Sequence, residues 1–282
     1  VSVISIQSQV VFGHVGNSAA IHPMMANGVD VYAVPTTLLS NTPHYPTLRG
    51  KILPPDFVAD LLTGVEERGL VATSRLMVTG YLGSVGNGEA VRDFVQRAKA
   101  ANPQLTYICD PVIGDSDLGV FVAAGLPEFF RAELAPLADI LTPNAFEFGL
   151  LAGLADHGTE AVAAALKQGL PPGLPRRLAV TGAIPEAAPG FIDTLIGEGG
   201  AVWRIRTPKV DVRPNGTGDL FTGALTAALD GGMTLVEAAE QAVGTVFAVL
   251  SAMVPGAPAE MPLAAEVAAL RWQGRPFKAE LL

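Results

Sequence analysis

The sequence predicts an α/β fold in which a mostly parallel sheet is covered by helices on both faces. Three observations predict it. Short apolar runs alternate with helical stretches of about 10–15 residues, the rhythm of βαβ units. The strand-like runs are apolar throughout rather than alternating, as expected when both faces are buried. Apolar residues make up 49% of the 282 and charged residues 16%, which supplies a large core and argues against disorder.

The elements follow in order. Val3 to Ile6 reads as a strand, and Asn17 to Asn27 as a helix stopped by Gly28. Val29 to Val34 is a second strand. Asp56 to Glu67 is helical behind Pro54 and Pro55. Leu76 to Thr79 is a strand, Glu89 to Ala101 a helix, Thr106 to Cys109 a strand, and Ile140-Leu141 a short one. Thr159 to Lys167 is a helix and Leu178 to Thr181 a strand. Phe191 to Ile196 and Ala201 to Ile205 form a hairpin across Gly197 to Gly200, which predicts a small antiparallel edge. Asp219 to Leu229 and Val236 to Leu250 are helices. The stretch Gly169 to Pro175 reads as a surface loop rather than a linker, so one domain is expected.

The net charge of −9 disfavours a protein that coats nucleic acid or an anionic membrane. Cys109 is the one cysteine, so no intrachain disulfide or zinc cluster can form, and a reducing cytoplasm is the expected compartment. Val1 to Gln7 has neither a basic region nor a long apolar run of the signal-peptide kind. The mean hydropathy of +0.38 calls for a membrane test. The charge-free stretch Gln241 to Ala259 is broken by Pro255 and Pro258, and Ala242 to Val254 reads as a buried core helix too short to span a bilayer.

In a parallel sheet, ligands bind at the carboxyl ends of the strands. The polar residues there are Ser8, Thr36, Gly80-Tyr81, Asp110, Thr142, Asn144, Glu147 and Thr181-Gly182. Asn215-Gly216-Thr217-Gly218-Asp219 runs straight into an apolar helix. Its glycines let backbone N–H groups converge, and the helix end adds unpaired N–H groups and positive dipole, which makes an anion site. Asp219 beside such a site is suited to take a proton from a hydroxyl that attacks a bound phosphoryl group; it is also a reasonable plain helix cap. Asn144 and Glu147 share a face if a helix begins at Pro143. With Asp110 they suit a hydrated Mg²⁺, and the alternative is a capping box. Ile113 to Gly119 reads as a loop, either a lid or ordinary surface. There is no G-x-x-x-x-G-K-[ST] motif, no protein-kinase motif set and no dinucleotide G-x-G-x-x-G.

Together these segments resemble the ribokinase-like superfamily and, within it, the pyridoxal kinases. The resemblance rests on Gln7-Ser8-Gln9-Val10-Val11-Phe12-Gly13-His14-Val15-Gly16-Asn17, on Leu39-Ser40-Asn41, and on Thr79 to Gly83. It continues through Cys109-Asp110-Pro111-Val112, Asp139 to Asn144 and Gly216-Thr217-Gly218-Asp219, and so covers nearly the whole chain. It implies a ribokinase-like three-layer α/β/α fold over residues 1–282, ATP-dependent phosphorylation of the 5′-hydroxymethyl group of pyridoxal, Mg²⁺ with ATP as co-substrate, a monovalent cation such as K⁺, and a homodimer.

By match of motif, Asp219 resembles the general base, and the N–H groups of Gly216, Thr217 and Gly218 the anion hole. Ser8 resembles the contact to the pyridine nitrogen, Thr36 a contact to ring substituents, and Val15 and Tyr81 the ring walls. Asp110 and Glu147 resemble the metal-side carboxylates, acting largely through water. Asp115, Thr142, Asn144 and Thr181 resemble nucleotide-phosphate contacts. Gln9, Pro35 and Thr42 depart from residues common in relatives, which bears on vitamer preference more than on reaction type. His14 and His44 stand equally as pocket residues or plain loop histidines. The rival readings are a hydroxymethylpyrimidine kinase, a sugar kinase, and a non-catalytic B6 carrier. Asp219 and the Gln7-Ser8 opening count against the first, and the lack of an early Gly-Gly against the second.

Overall fold

The computed structural model describes residues 2–255, 260–272 and 274–282. Val1 and Pro258, both used in the sequence reading, lie outside the described residues. The first half comprises β1 (Ser2–Phe12), α1 (Asn17–Ala26), β2 (Asp30–Asn41), β3 (Gly50–Ile52), α2 (Pro55–Glu67), α3 (Leu70–Thr73), β4 (Ser74–Thr79), α4 (Val85–Ala101) and β5 (Thr106–Cys109). A hairpin of β6 (Gly114–Asp115) and β7 (Gly119–Val120) leads into α5 (Leu126–Phe129) and two irregular helical turns. Then come β8 (Ile140–Leu141), α6 (Ala145–Ala152), α7 (Thr159–Gln168), β9 (Leu178–Ala183), β10 (Phe191–Glu198), β11 (Ala201–Pro208), α8 (Thr217–Asp230), α9 (Leu235–Ser251), α10 (Val267–Leu270) and β12 (Glu280–Leu281).

Ten strands form one sheet in the order β12-β11-β10-β9-β8-β5-β4-β1-β2-β3. Its centre, from β2 to β9, is parallel. The β9-β10-β11-β12 edge is antiparallel, as the hairpin predicted, and β3 adds a second antiparallel margin beside β2. Successive strand residues face opposite layers. Ile4, Ile6, Met77, Tyr107 and Cys109 pack with α2, α4 and α7 side chains such as Leu62, Phe94 and Val162. Val3, Leu76, Val78 and Ile108 pack with Met24, Leu225 and Ala239 from α1, α8 and α9. Two buried faces explain why the strands read as unbroken apolar runs.

Several boundaries differ from the sequence reading. β1 and β2 were expected to stop at Ile6 and Val34, because the polar residues beyond look like loop. They pair on through Gln9↔Leu38, Val10↔Leu39 and Phe12↔Asn41, past a register shift between Gln7 and Gln9. Glycines at 86 and 88 hid the start of α4, which Ser84 caps by accepting the Asn87 N–H at 3.2 Å. The expected loop at Ile113 to Gly119 contains a short hairpin. The expected core helix 242–254 ends at Ser251. No helix among the described residues is long and apolar enough to cross a membrane.

One contact positions the site above all. Gly223, buried in α8, faces α1 so closely that a Cβ there would lie 2.3 Å from the Ala20 carbonyl oxygen. Helix propensity alone would make Gly223→Ala stabilising by about 1 kcal/mol. Backbone overlap predicts instead a loss of about 2 kcal/mol or more, read from the urea midpoint, because neither helix can retreat without disturbing the core.

Candidate active site

The amino ends of α1 and α8 meet at the carboxyl end of the sheet. α1 starts from Gly16 (φ +54) and α8 from Gly216 (φ +83), and neither has a side-chain cap. A Cβ at Gly16 would lie 2.4 Å from the Ser8 hydroxyl oxygen, and one at Gly216 would lie 1.9 Å from the His14 carbonyl oxygen. Both positions therefore need glycine. Their close approach sets Ser8, the His14–Gly16 turn and the Gly216–Gly218 turn side by side.

Asp219 lies in the first turn of α8. Burial raises its carboxyl to about 6, against a hydrogen bond from the Gly16 backbone that favours the ionised form. One helical turn on, Thr222 Oγ1 donates to Asp110 Oδ2 at 3.0 Å and lies 3.0 Å from Thr142 Oγ1. Asp110, at the end of β5, is itself buried. Burial pushes its carboxyl well above the ordinary range, and the charges of Glu147 and Asp219 push the same way. Thr222 was not singled out in the sequence, although its three-residue spacing from Asp219 on a helix was a usable signal.

The alternative reading of Asn144 and Glu147 as a capping box is what the structure contains. The helix begins at Ala145 rather than Pro143, with Asn144 as its cap. Glu147 Oε2 accepts the Asn144 N–H at 2.9 Å, and Asn144 Oδ1 accepts the Glu147 N–H at 2.9 Å. The two residues do more than cap. Glu147 Oε1 accepts the Ile113 N–H at 2.8 Å and Asn144 Nδ2 donates to the Gly114 carbonyl at 2.8 Å, so they bind the β6-β7 hairpin to α6. Burial raises the Glu147 carboxyl to about 7 despite these N–H donors. Burial thus holds up all three carboxyls of Asp110, Glu147 and Asp219; the charges of Glu147 and Asp219 add to it at Asp110, and that of Asp219 adds to it at Glu147.

The other expected residues fall around this centre. Thr36 is buried, and its hydroxyl donates to the Tyr81 carbonyl at 2.6 Å, which fixes the segment after β4. Burial raises the half-buried Tyr81 hydroxyl above its usual range. Thr181 bridges to Asn144 and donates its N–H to the Pro143 carbonyl at 3.0 Å. Asp115 Oδ1 accepts the N–H groups of Asp117 and Leu118 at 2.9 and 2.7 Å, turning the hairpin. Arg213 pairs with Asp117, so the hairpin tip touches the segment leading to Gly216. Val15 is half-buried between His14 and Gly16. Cys109 is buried, and its thiol is pushed up to about 12, so it stays unreactive.

Among the described residues no group of three or more His, Cys, Asp or Glu is arranged to hold a metal ion. A hydrated Mg²⁺ needs fewer protein ligands than that. The mutual repulsion within the buried carboxylate group is what a divalent cation relieves, so the donor set fits such an ion.

The raised carboxyl of Asp219 has a consequence for stability. In the unfolded chain it titrates near about 3.9. The folded state therefore binds a proton more tightly and is penalised while Asp219 is ionised. Asp219→Asn removes the penalty. At pH 7 the variant should be more stable than the wild type by an amount on the order of 1 kcal/mol, and the gap should shrink as pH falls from about 6 towards about 4. Urea titrations at pH 7 and pH 5 check this; a constant or widening gap contradicts it.

Comparison with known proteins identifies the family. The family model described as phosphomethylpyrimidine kinase matches residues 13–259. A pyridoxine/pyridoxal/pyridoxamine kinase of Bordetella avium (strain 197N) is 41% identical over 238 residues, covering 84% of this chain and 80% of that protein. Pyridoxal kinase PdxY of Leifsonia xyli subsp. xyli is 38% identical over 225 residues, covering 80% of each. In fold, the chain is similar to pyridoxal kinase from Leishmania donovani in complex with ADP and pyridoxine, with a TM-score of 0.88 at 24% identity over 100% of this chain and 99% of that one. At these identities and coverages, and with the matching fold, the chain belongs to the pyridoxal kinases of the ribokinase-like superfamily.

Proposed function

We infer that the protein transfers the γ-phosphoryl group of ATP to the 5′-hydroxyl of pyridoxal and related B6 vitamers, giving the 5′-phosphate and ADP. The observation that carries this reading is Asp219, a carboxyl raised to about 6 in the first turn of an uncapped helix. A base for the hydroxyl and a cradle for the phosphoryl then lie within one turn of chain.

In the reaction the 5′-oxygen attacks the γ-phosphorus, the bond to the bridging oxygen breaks, and ADP leaves. Asp219 accepts the hydroxyl proton as the new bond forms. At neutral pH it is mostly ionised, and its raised value makes it a better base than an exposed aspartate. The backbone N–H groups of Gly216, Thr217 and Gly218 stabilise charge on the transferred oxygens, which is the main demand of phosphoryl transfer. Ser8 faces the pyridine nitrogen, Thr36 meets the ring substituents, and Val15 and Tyr81 supply apolar and aromatic walls. Thr142, Thr181, Asn144 and Asp115 lie on the nucleotide side. Asn144 acts there through the hairpin it holds, since its amide donates to the Gly114 carbonyl.

Asp110 and Glu147 are the residues to hold Mg²⁺, largely through water. When bound, that ion supplies charge neutralisation for the nucleotide phosphates. The Thr222 hydroxyl, which donates to Asp110 Oδ2, orients that carboxylate.

A homodimer belongs to the same proposal. Val11, Phe12, Leu38 and Ile52 are exposed apolar side chains on the extended ends of β1 and β2 and on β3, a surface that suits a second copy. A sedimentation mass of one chain at micromolar concentration would end that part.

The central test is ADP release with Mg·ATP against pyridoxal, pyridoxine, pyridoxamine and hydroxymethylpyrimidine. Turnover on pyridoxal should fall by about 10²–10⁴-fold in Asp219→Ala, the range expected for loss of a general base, while pyridoxal binding persists. Turnover confined to hydroxymethylpyrimidine would move the substrate to the pyrimidine class. Pyridoxal binding with no ATP consumption would favour a carrier.

A further inference from the structure

Glu260 reaches the edge of the site from the C-terminal part of the chain, and the chemistry above leaves it without a role. Its side chain is 14% exposed. Oε2 accepts the backbone N–H of His14 at 2.9 Å, and Oε1 accepts the Thr42 hydroxyl at 2.6 Å. His44 Nε2 lies 3.8 Å from the same Oε1. One carboxylate therefore ties the β1–α1 turn to the segment after β2.

Both tied segments press on the turn that opens α8. The His14 carbonyl packs so closely on Gly216 that no Cβ fits between them. From the other segment, His44 Nδ1 lies 2.6 Å from Asn215 Nδ2. Asn215 and Gly216 are thus braced from two sides by residues that Glu260 holds. Thr217 and Gly218 continue that turn directly, and a rotation of its peptides would re-aim their N–H groups. Catalysis of group transfer is sensitive to such small misplacements.

The donor pattern calls for a side chain with two polar ends. It must accept from an amide and from a hydroxyl at once, and Glu does both. Glutamine can keep both contacts, with its carbonyl accepting the His14 N–H and its amide donating to Thr42 Oγ1. Alanine leaves the amide and the hydroxyl without their acceptors.

We propose that Glu260 is a positioning residue for phosphoryl transfer, which holds the Asn215–Gly218 turn in its working geometry by bracing it through His14 and His44. It contacts neither substrate in this role. The inference rests on the reading that this turn receives the phosphoryl group.

The test compares wild type, Glu260→Ala, Glu260→Gln and Thr42→Val by steady-state kinetics and by amide hydrogen exchange over residues 213–219 in the full chain. Glu260→Ala should lower kcat by about tenfold or more, with KM for pyridoxal changed by less than about threefold, because the loss falls on the transition state. It should also speed exchange across 213–219. Glu260→Gln should restore both kcat and protection to within about threefold of wild type. Thr42→Val removes one contact only, so it should show a smaller loss of the same kind and serves if Glu260→Ala fails to fold.

Unchanged exchange in the alanine and valine variants overturns the proposal, as does an alanine variant whose kcat is intact. A glutamine variant as impaired as the alanine variant also overturns it, because the charge rather than the bracing would then matter. If wild type itself does not turn over pyridoxal, the kinase reading fails, and exchange alone decides whether Glu260 braces the turn.

Discussion

A Cβ at Gly223 would lie 2.3 Å from the Ala20 carbonyl, so α1 and α8 approach with backbone against backbone. That contact sets how closely the two helices lie. Gly16 and Gly216 then fall against Ser8 and His14, and two uncapped amino ends point into one space at the carboxyl end of the sheet. The α8 end carries unpaired N–H groups and the positive end of a helix dipole, whereas at α1 the Gly16 N–H already donates to Asp219 and the Ser18 and Ala19 N–H groups bond the Val15 and Gly16 carbonyls. An anionic group is the natural occupant, and Asp219 sits at its margin. The fold holds the donors before substrate arrives, so little reorganisation is needed during reaction.

The carboxylates on the other side obey the opposite logic. Burial raises the proton affinity of Asp110, Glu147 and Asp219, the charges of Glu147 and Asp219 raise it further at Asp110, and the charge of Asp219 raises it further at Glu147. Such a group is poorly stabilised by protein alone and better stabilised with a cation among its charges. The backbone N–H groups of Ile113 and Asn144 limit the rise at Glu147, and the Thr222 hydroxyl limits it at Asp110. The same Glu147 binds the β6-β7 hairpin. Charge at the site and the placing of the hairpin are therefore coupled through one side chain.

Much of this could be read from the sequence because a parallel sheet delivers strand ends to one edge. Asp110, Thr142, Glu147 and Asp219 were found by position after a strand or at a helix start, before any contact was known. The strand extensions through Gln9 and Leu38 were missed because their polar residues look like loop while their pairing partners are distant in sequence. The Asn144–Glu147 spacing fitted a shared face and a capping box equally, and coordinates were needed to show the box and its grip on Gly114. Glu260 had no local signal. Its partner His14 is 246 residues away in the chain, and nothing in the residues around it announces the contact.

The account stands on where the phosphoryl group goes. The most direct measurement is ³¹P NMR of the products formed from pyridoxal and Mg·ATP. The account predicts a phosphomonoester on the 5′-oxygen of the vitamer, appearing in equal amount with ADP. ADP with inorganic phosphate alone would mean that water, not the vitamer, takes the group, and that the pocket around Ser8, Thr36 and Tyr81 does not present a hydroxyl to Asp219.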